Sequence, residues 1–287
     1  MDARTARKTW RSLEAVHGMI YFTPDAPPAY AAIGISSPRA GYFLSRSAAM
    51  GAVRADVVIA TFFNFHPGLV RRAMENGWAT VAPETVTAAR LDAVDTSLRR
   101  AFGAELLRSA ELGRAAELTR RAALVACEHP EGRPLFAGHA SLPWPDETHL
   151  VLWHAQTLLR EFRGDGHVAA LALAGLSGLD ALLSHAGSGE VPAEVLRRTR
   201  AWSEDEWAAG LESFAARGFV DGAGDFTDAG RAQRQQIEDA TDRAVLVAYE
   251  ALADDEASEV VSIGRTLTQH VVAAGLLHVD PARSDET

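Results

Sequence analysis

The chain has 287 residues, a formal charge of −10 and one cysteine, with 47% hydrophobic and 23% charged residues. That apolar content excludes extensive disorder, the lone Cys127 excludes a disulfide scaffold, and no apolar run approaches the roughly 20 residues of a membrane span. The start, Met1-Asp2-Ala3-Arg4, leads into a mixed amphipathic stretch without an apolar signal core, so a soluble, cytoplasmic protein is expected.

Segments rich in Ala, Leu, Glu and Arg with a period near 3.6 predict helices over 5–20, 39–48, 55–64, 67–77, 84–102 and 104–127. The segment His129-Pro-Glu-Gly-Arg-Pro134 reads as a loop, as does Ser141-Leu-Pro-Trp-Pro145, with Asp146 as N-cap of the next helix. Helices are then predicted over 146–162, 167–174, 177–186, 192–200, 204–217, 228–252 and 255–275, with a break at Arg163-Gly-Asp-Gly166 and a loose tail over 280–287. The expected fold class is all-α with a minor β wing.

Two halves of the chain echo each other at an offset of about 140 residues. Leu13–Gly18 matches Leu159–Gly164, and Gly51–Val57 matches Gly189–Val195. Gly77-Trp78 matches Gly218-Phe219, and Thr87–Arg90 matches Thr227–Arg231. This predicts two tandem, degenerate winged-helix-like halves forming a pseudo-twofold helical body. The expected divisions are an N-terminal half over 1–127, a linker over 128–145, a C-terminal half over 146–279 and the tail.

In the second half, Ser203 caps a helix that closes on Phe214-Ala-Ala-Arg-Gly-Phe-Val220, Asp221–Phe226 forms a tight turn, and Thr227-Asp-Ala-Gly-Arg231 opens a long helix. That order resembles the winged-helix module of MarR-type regulators. The whole chain also resembles an actinobacterial helix-turn-helix family, through Ala60-Thr-Phe-Phe-Asn-Phe-His-Pro67, Leu142-Pro-Trp-Pro145 and Arg163-Gly-Asp-Gly-His167. The resemblance implies the fold and a context in specialised metabolism.

A DNA-reading winged helix needs Lys and Arg at phosphates. Here the candidate recognition helix carries Glu204, Asp205, Glu206 and Glu212, and the wing carries Asp221 and Asp225. Only Arg197, Arg198 and Arg200 on the preceding helix argue the other way. DNA is therefore an unlikely partner, and a ligand-responsive transcriptional regulator is the alternative reading.

The first reading is a small-molecule-binding protein with a pocket between the halves, extending to cofactor-free acid–base chemistry. Five of the ten histidines, His129, His139, His149, His154 and His167, crowd beside Trp144, Trp153, Arg160, Glu161, Arg163 and Asp165. Imidazole titrates near neutrality and so can carry protons. Leu150, Trp153, His154, Thr157, Leu158 and Glu161 recur at helical spacing on one face, with His149 and Gln156 off it. The candidate catalytic residues are His154, Asp165 and His167, with Asp165 capping the restarted helix.

Arg163 is the candidate anion holder, with Trp153 as a wall. The repeat aligns His17 with Arg163, which predicts one cleft shared by His17, Tyr21 and Arg163. Phe63, Asn64 and His66 are a second candidate wall with two polar anchors, His66 being equally a cap before Pro67. No catalytic or nucleotide motif is present, and no cofactor is implied. His149 and His154 are poorly spaced for a metal or haem iron.

Overall fold

A computed structural model describes residues 1–277; the predicted tail over 280–287 lies outside the described residues. The helices are α1 (Ala3–Ser12), α2 (Glu14–Gly18), α3 (Ala26–Ala32), α4 (Pro38–Ser47), α5 (Ala55–Phe62), α6 (Pro67–Met74), α7 (Gly77–Thr80) and α8 (Pro83–Leu106). They continue as α9 (Ala110–Cys127), α10 (Pro134–Ala140), α11 (Thr148–Leu173), α12 (Gly178–Gly187), α13 (Ala193–Arg200), α14 (Glu204–Ala216), α15 (Asp228–Tyr249) and α16 (Asp254–Ala273). The protein is all-helical among the described residues. The expected wing is reduced to one isolated bridge, Val220 to Phe226, whose turn is closed by the Asp221 carboxylate accepting from the Ala223 and Asp225 amides.

Local sequence explains most boundaries. Ser37, Ser109 and Thr227 cap α4, α9 and α15 through their side chains, and Ser177 and Ser203 complete capping boxes with Asp180 and Glu206. Pro38, Pro67, Pro83 and Pro134 occupy first turns, where a missing amide hydrogen costs nothing. The predicted helix 5–20 is broken at Leu13 and ends in a 3-10 turn over Met19–Tyr21.

Three expectations fail for reasons of packing. Asp146 is not the N-cap of α11, which starts after Glu147 without a side-chain cap. The chain does not break at 163–166: α11 runs unbroken through Gly164 and Gly166. A Cβ on Gly166 would stand 3.5 Å from the Ala244 Cβ, so this glycine sits where α15 closes on α11. Nor does α11 have a single buried stripe. Residues 152–159 are all buried, and His149 and Gln156 are as hidden as Trp153, because this part of α11 is the central helix and is covered on every side.

The large core forms around α11, which packs on α9, α10 and α15, while α1 packs on α15 and α16. Phe136 and Phe162 meet edge to face at 4.9 Å, an arrangement worth about 1 kcal/mol beyond their burial. A smaller core of Leu171, Leu176, Leu183, Phe214, Val220 and Ile237 holds α12, α14 and the start of α15. No single helix among the described residues is long and apolar enough to cross a membrane.

Candidate functional site

The polar centre of the large core is assembled from four elements. Glu14, His17 and Tyr21 follow one another at helical spacing along α2 and its 3-10 turn. Tyr42, Ser45 and Arg46 come from α4, Arg90 from α8, and Trp153, Arg160 and Glu161 from α11. Arg46, Arg90 and Arg160 all lie over the Tyr21 ring, at 5.6, 5.7 and 5.2 Å from its centroid. The Tyr21 hydroxyl accepts from Arg90 and Arg160, and the Tyr42 hydroxyl accepts from Arg46.

The charges here do not balance. Glu161, buried, accepts from Arg46 and Arg160, and Glu14 accepts from Arg160. Burial opposes ionisation of Glu161, yet Arg46 and Arg160 outweigh it and hold its pKa down to about 2. Arg90 is only 3% exposed and has no carboxylate within 4.0 Å among the described residues. Its bonds go to the Ser45 carbonyl and the Tyr21 hydroxyl, its Nε has no partner, and the Trp153 ring lies 5.4 Å away.

His17 is fully buried, stacked on Trp153 at 5.5 Å, and neither ring nitrogen has a hydrogen-bond partner. Burial, reinforced by Arg160, Arg90 and Arg46, pushes its pKa well below the usual histidine value. His139 on α10 is its neighbour in charge, also with a bare Nε2, and burial lowers it to about 3. Two neutral imidazoles thus face a cationic cluster.

Of the residues singled out from the sequence, the structure brings His17, Tyr21 and Trp153 together and disperses the rest. Arg163 does not join His17 and Tyr21 in one cleft. Both its terminal nitrogens are spent on α15, at 2.6 Å to Asp242 and 3.0 Å to Glu238, and it lies over Trp10. His167 on the same side bonds the Thr241 hydroxyl at 2.9 Å, and burial lowers it to about 4.

Asp165 caps no following helix, since α11 does not restart. It reaches across to α10 and accepts from the Phe136 amide at 3.0 Å, supplying the cap that Arg133 does not. Burial raises its pKa to about 6 against the pull of that bond. His154 stands apart beside Trp144 at 4.8 Å, and burial lowers it to about 4.

Phe63, Asn64 and His66 form a strap onto the smaller core, and His66 also lines an open surface hollow with Arg72, Trp202 and Glu206. Phe63 takes a left-handed φ of 58°, and its carbonyl approaches Gly178 so closely that a Cβ there would stand 2.0 Å from the oxygen. The Asn64 carbonyl accepts from Trp202 Nε1, the His66 amide donates to the Arg200 carbonyl, and the His66 imidazole caps α6 and meets Glu206. Sequence reasoning missed Arg46, Arg90 and Tyr42. Arg90 had a readable signal: it interrupts the stripe Val86, Ala93, Val94, Ser97 at helical spacing.

The α14 surface is acidic as expected: Glu204, Asp205, Glu206 and Glu212 are exposed. Arg197 is tied to Glu194 and Glu204, and Arg200 turns inward over Phe65. Among the described residues no group of three or more His, Cys, Asp or Glu side chains could hold a metal ion. A helix-turn-helix family model matches residues 6–278, and the chain belongs to that helix-turn-helix family. No curated protein and no solved structure matches it.

Proposed function

We propose that this protein binds a small anionic molecule at the polar centre around Arg90, between two related halves of the chain. The observation that carries the reading is Arg90 itself: a buried guanidinium with no carboxylate, in a cluster where Arg46, Arg90 and Arg160 outnumber Glu14 and Glu161. An unpaired buried charge costs several kcal/mol, and an anionic ligand offsets that cost. Cofactor-free acid–base chemistry on the bound anion, in specialised metabolism, is the stronger form of this reading; the bound negative charge would counter the arginines that, with burial, keep His17 and His139 from accepting a proton.

The duplicated architecture is part of the proposal. The series α4, α5, α6, α8, α9 is followed by α12, α13, α14, α15, α16, each running from three shorter helices to two long ones. The packing of α9 on α11 has its counterpart in α16 on α1, and α9 on α15 in α16 on α8. A MarR-like winged helix is the unit this succession supports.

The test is a thermal-shift screen of the full chain against inorganic phosphate and short carboxylates, with Arg90→Met alongside. At least one anion should raise the wild-type midpoint, and Arg90→Met should lose the response while folding normally. A flat wild-type profile across the anions overturns the reading.

A ligand-responsive regulator is the second reading, favoured by family membership and by Arg200, which lies over Phe65 beside the centre while its carbonyl holds the His66 amide. The exposed carboxylates of α14 oppose direct DNA contact. Gel retardation at physiological salt would promote this reading over the first.

A further inference from the structure

Tyr21 Oη receives Arg160 at 3.2 Å and Arg90 at 3.4 Å, and Tyr42 Oη receives Arg46 at 3.0 Å. A guanidinium has five N–H donors and no acceptor, so the direction of these bonds is fixed. Both phenol oxygens are acceptors here, and each phenol proton remains to be donated elsewhere. Among the described residues neither proton has an acceptor within hydrogen-bond distance.

Both tyrosines line the same cavity, of about 120 Å³. Its lining mixes the apolar Ile20, Ala26, Pro27 and Ile35 with the hydroxyls of Thr23, Ser36, Ser37 and Ser45. The four apolar side chains offer contacts that a phosphate would not use. They suit a carboxylate with a carbon body. A cavity of roughly 150 Å³ accepts benzene, so this one takes a smaller body, roughly four or five carbons.

We propose that Tyr21 and Tyr42 are a paired phenol clamp that donates both hydroxyl protons to the carboxylate of a short, branched monocarboxylic acid, with its carbon body against Ile20, Ala26, Pro27 and Ile35. Arg46, Arg90 and Arg160 then act through the phenols, polarising them and supplying the balancing positive charge. Burial opposes ionisation of Tyr42, and Arg46, Arg160 and Arg200 outweigh it, so the phenol is held below its usual pKa and is a stronger donor. The clamp rests on the anion reading above and narrows it to one ligand class and two donors.

The experiment is isothermal titration of the full chain at neutral pH with isobutyrate, inorganic phosphate and the uncharged isobutyramide. Wild type, Tyr21→Phe and Tyr42→Phe are compared, each checked for folding by circular dichroism. Isobutyrate should bind wild type, and each Phe variant should weaken it roughly 10- to 100-fold. Isobutyramide should bind more weakly than isobutyrate.

Equal isobutyrate affinity in wild type and both Phe variants overturns the clamp and leaves the anion reading intact. Phosphate binding without isobutyrate overturns the carboxylate class alone. No binding by either anion overturns clamp and anion reading together. Should a Phe variant not fold, the ultraviolet difference spectrum of wild type decides. Isobutyrate should shift the neutral-tyrosine bands; a silent spectrum, or a tyrosinate band already present before addition, overturns the clamp.

Discussion

The two flanks of α11 use the same residue types to opposite ends. Toward α15, Arg163 meets Asp242 and Glu238, Arg7 meets Asp242, and His167 meets Thr241. Toward α4 and α8, Arg90 has no carboxylate and His17 has no partner on either nitrogen. The first flank is a closed ion-pair seam, and the second is an open account. Histidine and arginine clustering alone does not mark a site; the arithmetic of their partners does.

The largest expected effect concerns acid. His139 and His154 stay neutral in the fold, at about 3 and about 4, while the unfolded chain takes up protons near 6.5. Stability is therefore complete above about pH 6.5 and is lost as pH falls toward about 4, on the order of 3 kcal/mol per histidine. Asp165 works in the opposite sense. Its raised pKa favours the fold on acidification between about 4 and 6, so it offsets part of the loss. Urea midpoints at about pH 7.5 and 4.5 measure the balance, and unchanged midpoints would show that the buried histidines are not the dominant titrating groups.

The next effect separates the flanks directly. Asp242→Ala leaves Arg163 and Arg7 to share Glu238 alone and should cost about 2–3 kcal/mol in chemical denaturation. Arg90→Met removes a buried cation with no counter-ion and should stabilise the ligand-free protein, by about 1–3 kcal/mol once the lost bonds to Ser45 and Tyr21 are set against the relieved charge. Equal losses in the two variants would erase the distinction drawn here.

The smallest effect has an unusual sign. Asp165→Asn keeps an oxygen acceptor for the Phe136 amide and removes the charge whose burial raises the pKa to about 6. At about pH 8 the variant should be more stable by about 1–2 kcal/mol, and the gain should fade below about pH 6. Destabilisation instead would show that the first turn of α10 needs the full carboxylate charge.

Much of the helical order was legible because caps and prolines are local signals: Ser203 and Thr227 start helices where their side chains predict. The glycines at 164 and 166 misled because the sequence does not distinguish a loop from close helix packing. Asp165 resembled a cap and is one, but for α10, a partner set by tertiary structure. In the polar centre of the core, the grouping of His17 with Tyr21 was legible, whereas Tyr42 and Arg46, four residues apart on α4, gave no sign that their neighbours in space would be other arginines.

The strap over residues 63–66 bears on how the chain can be divided. Trp202 and Asn64 are 138 positions apart, yet their bond and that of the His66 amide to Arg200 fix the turn entering α14. The segment 202–216 is thus moored to residues 64–66 at the point where α14 begins. A fragment that began at residue 146 would leave the Trp202 indole without its acceptor and Gly178 facing water. Two bonds therefore tie the chain to itself across more than a hundred positions, and a cut between the tied segments would loosen both.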